Sequence, residues 1–238
     1  MTLPQALAFD VFGTVVDWRT GIARQSAGFL AEVGLGARDP AAFADAWRAQ
    51  YLAAMAGMRA SGRAFVPLDV LHREMLETAL RDWGIDPAAC KETLLAEWTR
   101  AWHRLDPWPD AVEGLTRLKV RFPIVTLSNG NVALLMNMAR RAGLPWDAIL
   151  GAEVSGVYKP DPRAYLATAE LLQMEPGALC LVAAHHSDLA AARASGLLAA
   201  HVARPHEYGG APAPDAHHRQ AWDWSATSLT DLADQLGC

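Results

Sequence analysis

Apolar positions fall into two different rhythms along the chain. Residues 6–9 form an uninterrupted apolar run that ends on Asp10 and is followed by Gly13, the pattern of a buried strand delivering a carboxylate to a loop at its C-terminal end. From residue 18 to about 105 the rhythm changes. Phe43, Trp47, Tyr51 and Met55, and again Leu71, Met75, Leu76 and Leu80, recur at helical spacing, which predicts an all-helical block. After Pro107 and Pro109 the pattern predicts a helix over 112–119 and a second buried strand over 124–127, stopping at Ser128-Asn129-Gly130. A third strand over 179–184 runs into His185-His186-Ser187-Asp188, and the helix after it contains residues 189–193. Residues 204–218, rich in Pro, Gly and His, read as a surface loop before a last helix near 229–236. No internal repeat is visible.

Strands that alternate with helices and end in polar residues imply an α/β fold with a doubly wound parallel sheet. Its core spans residues 1–17 and 106–238. The helical stretch 18–105 is too long for an ordinary loop and reads as an inserted subdomain, of a kind that can cap the strand ends where such sheets keep their chemistry.

Bulk properties narrow the partners. The 238 residues are 52% apolar and 20% charged, with a formal net charge of −5 and arginines scattered singly, so a nucleic-acid partner is disfavoured. Three cysteines, Cys90, Cys180 and Cys238, are too few and too dispersed for a disulfide framework or a zinc site. The start MTLPQALAFD has no basic segment followed by an apolar run, and no stretch reaches the roughly 20 apolar residues of a membrane span. A cytoplasmic protein with no membrane partner is expected. Trp47, Trp98 and Trp102 in the helical block supply either a homodimer surface or a subdomain core.

An ionised, partly desolvated Asp10 is a competent nucleophile that splits one hard displacement into two easier steps through an ester; the bland alternative is a helix-cap or turn aspartate. The blocks FDVFGTVVD, TLSNG, YKPDPRAY and VAAHHSDLAAARASG, in this order, resemble the haloacid dehalogenase superfamily and within it the L-2-haloacid dehalogenases. The resemblance covers nearly the whole chain. It implies that Asp10 is the nucleophile, that Lys159 balances Asp10 and Asp188, that Ser128 binds the substrate carboxylate and that Asn129 lies by the leaving halide. DAWRAQYL looks like the family's cap helix and places Arg48 at the position of the halogen-binding arginine. Thr14 and Tyr165 match supporting positions. Each has an ordinary alternative: a solvated loop lysine, turn chemistry, an exposed helix arginine, a backbone-bonded threonine, a half-buried tyrosine.

Most phosphatases of the superfamily carry a second aspartate two residues after the nucleophile, as general acid for an alkoxide leaving group. Here that position is Phe12, which cannot donate a proton, whereas halide leaves without one. With no phosphoryl group to bridge, no metal and no cofactor are expected. Where the family has SSNAWD this chain has AAHHSD, so His185 replaces an Asn implicated in orienting the hydrolytic water and Ser187 replaces a Trp. His185 either takes over that work, as an imidazole that donates and accepts near neutral pH, or merely packs at the strand end. The expected reaction is attack of Asp10 on C2 of an (S)-2-haloacid, then ester hydrolysis to the (R)-2-hydroxyacid and halide. A magnesium-dependent phosphatase of the same fold, a related hydrolase acting on another small carboxylate electrophile, and an idle binding protein are the rivals.

Overall fold

The computed structural model describes residues 3–60 and 62–238. Strand β1 (Ala6–Phe9) is followed by the two-residue strand β2 (Val16–Asp17) and then by four helices, α1 (Trp18–Glu32), α2 (Pro40–Ala60), α3 (Leu68–Asp82) and α4 (Glu92–Thr99). Strand β3 (Asp106–Pro107) pairs antiparallel with β2, Val16 opposite Pro107 and Asp17 opposite Asp106. The chain therefore leaves for its helical excursion and returns at adjacent points, and the long insertion adds no gap to the sheet. Beyond β3 come α5 (Ala111–Lys119), β4 (Ile124–Thr126), α6 (Val132–Ala142), α7 (Pro162–Leu171), β5 (Leu179–Ala183), α8 (His186–Ala194), β6 (Leu198–Val202), β7 (Trp224–Ala226) and α9 (Leu229–Gln235).

These elements separate into two compact units, one built from the chain up to Asp17 together with Asp106–Cys238, the other from Trp18–Leu105. In the first, five strands run parallel in the order β4-β1-β5-β6-β7. Strands β1, β4 and β5 are buried at every position, as expected of parallel strands covered on both faces. Register decides the rest. Phe9 lies opposite both Thr126 and Val182, so Asp10, Ser128 and His185 leave the sheet at one edge. With β1 flanked by β4 and β5, strand order reverses there, the topological switch point at which open α/β sheets bind ligands.

Strands β6 and β7 lie outside what the pattern predicted. LAAHV is largely alanine and WSA is three residues long, so neither has the β-branched or aromatic density that marks a strand; pairing with β5 makes them strands. Residues 204–218 also differ from a plain surface loop, since Glu207 is only 2% exposed and Arg204 forms an ion pair with Asp110 at 2.7 Å.

The helical unit has its own core. Trp47, Trp98 and Trp102 are fully buried; Phe43 stacks on Trp98 at 5.0 Å and Trp47 meets Trp102 edge-on at 5.5 Å. Buried indole N–H groups need acceptors, and Trp47 donates to the His72 carbonyl and Trp98 to Ser26 Oγ, both at 3.1 Å. These tryptophans are thus core, and the homodimer surface considered for them is not what they form. Among the described residues no helix is long and apolar enough to cross a membrane.

Helix α9 packs against α5 at Gly114, where an added Cβ would come 2.5 Å from Leu229 Cβ and 2.7 Å from its backbone carbonyl carbon. Backbone cannot yield cheaply, so Gly114→Ala is expected to lower stability by about 1–3 kcal/mol, read from the urea midpoint; an unchanged midpoint would show that the α5/α9 contact is looser than described.

Candidate active site

The turn after β1 shapes the site's floor. Val15 and Val16 both donate their N–H to the Val11 carbonyl, and Gly13 closes the turn on the Val16 carbonyl at 3.0 Å with φ +83°, a region that favours glycine. Inside this turn the Thr14 hydroxyl donates to Asp10 Oδ2 at 2.8 Å and accepts the Ala184 N–H at 2.9 Å. One threonine thereby ties the loop of β1 to the loop of β5.

Asp10 is 7% exposed. Lys159 Nζ donates to Asp10 Oδ1 at 3.0 Å and to Asp188 Oδ2 at 2.5 Å. Asp188 stands in the first turn of α8, favourable for an anion, and its other oxygen accepts from the Tyr165 hydroxyl at 2.6 Å. Asn129 does not leave its carboxamide open: Oδ1 accepts the Lys159 N–H at 2.7 Å and Nδ2 donates to the Lys159 carbonyl at 3.4 Å. It sets the main chain from which the lysine reaches inward. Ser128 is buried, and its Oγ accepts the Gly130 N–H at 3.1 Å. Phe12 is half-buried, its ring edge close enough to Gly130 that a Cβ there would lie 3.1 Å away. Arg48 belongs to the helical unit, where its guanidinium lies over the Tyr51 ring at 4.2 Å and near Trp18 at 5.6 Å.

His185 begins α8 as its N-cap without using its side chain for capping. Nδ1 faces Asp10 Oδ2 at 3.2 Å and Nε2 faces Glu207 Oε1 at 2.9 Å. Glu207 is the functional candidate that pattern reading missed, because a lone acid among Pro, Gly and His looks solvated. Gly13 holds its place open: a Cβ there would lie 2.1 Å from Glu207 Oε1. His186 has a separate, structural place, accepting from Trp222 Nε1 at 3.1 Å and stacking on His201 at 4.4 Å. Ser187, at the family's tryptophan position, donates its N–H and hydroxyl to Asp215 at 2.7 and 2.9 Å.

Burial resists charge on each of these groups, and their mutual attraction outweighs it. Asp10 is pushed up by burial, yet Lys159, His185 and Thr14 hold it well below the usual carboxylate range. Burial lowers Lys159, but Asp10 and Asp188 keep it above an ordinary lysine. Burial lowers His185 too, and Glu207 with Asp10 raises it well above an ordinary histidine. The result is a buried carboxylate at a strand end that its neighbours hold in the ionised form. Among the described residues no three His, Cys, Asp or Glu side chains are grouped to hold a metal; the ammonium of Lys159 bridges Asp10 and Asp188.

A family model, haloacid dehalogenase-like hydrolase, matches residues 4–196. The chain belongs to the haloacid dehalogenase-like hydrolases. Among curated relatives, (S)-2-haloacid dehalogenase 1 of Pseudomonas sp. (strain CBS-3) is 30% identical over 215 residues, covering 87% of this chain and 89% of its own. Among solved structures, the defluorinating L-2-haloacid dehalogenase Rha0230 superposes with a TM-score of 0.94 at 50% identity, over 99% of this chain and 96% of its own. The L-2-haloacid dehalogenase PA0810 gives 0.90 at 44% identity, over 98% and 99%.

Within this haloacid dehalogenase-like hydrolase, Gly13 has two separate reasons to lack a side chain. Gly13→Ala is expected to lose about 1–3 kcal/mol, and adding Glu207→Ala should recover only part of it, because the positive φ remains. Urea unfolding of the single and double variants measures both; full recovery would mean that φ imposes no strain.

Proposed function

We propose that this protein is a hydrolytic (S)-2-haloacid dehalogenase that yields the (R)-2-hydroxyacid and halide through an ester on Asp10. The observation that carries this reading is the pairing of an enforced Asp10 carboxylate with Phe12, two residues on, where a phosphatase of the family would keep its general acid. A displacement that needs a strong, desolvated carboxylate and no proton for its leaving group suits that pair. The identities and superpositions of the named dehalogenases support the same reading.

In the first step an Asp10 oxygen attacks C2 in line with the departing halide, inverting the carbon. Ser128, with the loop amides beside it, binds the substrate carboxylate. Arg48 has the halide-contact role that the resemblance gives it; its guanidinium combines permanent charge with several donors. Asn129 sets the Lys159 main chain through its carboxamide and has a second Nδ2–H to offer the halide, the place the resemblance gives it. In the second step water attacks the ester carbonyl near Asp188, and Tyr165 holds Asp188 in place.

Halide release from the separate enantiomers of 2-chloropropionate, with a chelator present, tests this. Release from the (S) form, little from the (R) form, and a loss of roughly 10⁴-fold or more in Asp10→Asn are expected. No release from either enantiomer, with magnesium-dependent turnover of a phosphate ester instead, would overturn it.

A further inference from the structure

The two oxygens of Asp10 are held differently. Oδ1 accepts from Lys159 at 3.0 Å. Oδ2 faces two donors, the Thr14 hydroxyl at 2.8 Å and His185 Nδ1 at 3.2 Å. Because Thr14 Oγ1 already accepts the Ala184 N–H, its own hydrogen is directed at Oδ2. The proton positions on His185 follow from its neighbours. Nδ1 faces the Asp10 carboxylate and Nε2 the Glu207 carboxylate, and ionised carboxylates only accept. With both carboxylates ionised, both ring nitrogens donate, and the ring is an imidazolium with no lone pair for a proton. The remaining titratable neighbours that act on it are His186 and Asp215, and Lys159 sits on the opposite oxygen of Asp10.

Accepting the dehalogenase reading, we infer that His185, kept charged by Glu207, forms with Thr14 the donor pair for the oxyanion that develops on Oδ2 when water attacks the Asp10 ester. Oδ1, with a lone pair to spare, is the oxygen that attacks C2 and becomes the ester oxygen. Oδ2 is then the ester carbonyl. Attack by water forms a new bond from its oxygen to Cγ, moves the carbonyl pair onto Oδ2 and passes one water proton to Asp188. On collapse that pair returns, the Cγ–Oδ1 bond breaks, and Oδ1 departs as the product's hydroxyl oxygen with a proton from Lys159, which the proton on Asp188 replaces. The second water proton is lost from the new carboxyl group to solvent, restoring the Asp10 carboxylate.

Glu207 gains its purpose in this sequence. Esterification removes the charge of Asp10, and a buried imidazolium left beside a neutral ester would shed its proton. Glu207, 2% exposed and 2.9 Å from Nε2, remains as counter-ion through the intermediate. It is a positioning residue, whereas His185 touches the reacting carboxyl.

Rapid-quench turnover of (S)-2-chloropropionate separates the halves: the halide burst reports ester formation, and intact-protein mass spectrometry follows ester decay. A base would make decay faster as pH rises through the histidine titration; a cationic donor makes it slower. The expected result is decay that falls with rising pH in the native protein, with the falling limb moved to lower pH in Glu207→Gln. In His185→Asn, a neutral non-titrating donor, the histidine limb disappears, the burst persists and ester accumulates as decay slows about 10²–10³-fold. A Glu207→Gln limb at the native pH, native-speed decay in His185→Asn, or a lost burst in that variant would each overturn the inference. No halide from the native protein would instead remove the dehalogenase reading and the inference with it.

Discussion

The ammonium of Lys159 lies between two buried carboxylates, Asp10 and Asp188, and the rest of the site depends on that balance of charge. Two carboxylates so close would otherwise drive one of them to bind a proton and lose its nucleophilicity. Taking the lysine out of water is itself costly, so its place must be imposed from outside the ion network. Asn129 imposes it by clasping the Lys159 main chain with both ends of its carboxamide. Tyr165 does the same for Asp188, and Thr14 for Asp10. Each charged group is thus oriented by a neutral one, each on a different element, and the parallel register of β1, β4 and β5 brings the loops that carry Asp10, Asn129 and His185 to one edge.

His185 and Glu207 add a second charge pair to the far side of Asp10. A proton held between two carboxylates changes what the nucleophile's neighbourhood can do, because the pair supplies a hydrogen-bond donor where an amide side chain would supply only a neutral one. The cost is steric as well as electrostatic: Glu207 reaches His185 only across a glycine. The GT of the first motif therefore serves twice, Gly13 by leaving space and Thr14 by joining two loops.

Much of this was legible in the residues. The runs of β1, β4 and β5 are buried throughout and apolar but for Thr126, so their ends, and with them Asp10, Ser128 and His185, could be placed from pattern alone. The helical periodicity of 18–105 likewise marks a unit whose tryptophans fill its core. What escaped was whatever depends on partners distant in sequence. The alanines of β6 become a strand only beside β5, and Glu207 is buried only because Gly13, far away along the chain, admits it. The clasp of the Asn129 carboxamide on the Lys159 main chain, a partner 30 residues away, was likewise invisible in the sequence. Local propensity cannot register such contacts.

The central claim is that the carboxylate of Asp10 itself enters the reaction and is regenerated by water. A single turnover of (S)-2-chloropropionate in heavy-oxygen water, followed by mass analysis of the product and of the peptide bearing Asp10, tests it most directly. The account predicts a hydroxyacid whose hydroxyl oxygen is light and an Asp10 carboxyl that has gained one heavy oxygen. A heavy hydroxyl in the product with an unlabelled Asp10 would mean that water attacks the substrate directly, and would contradict it.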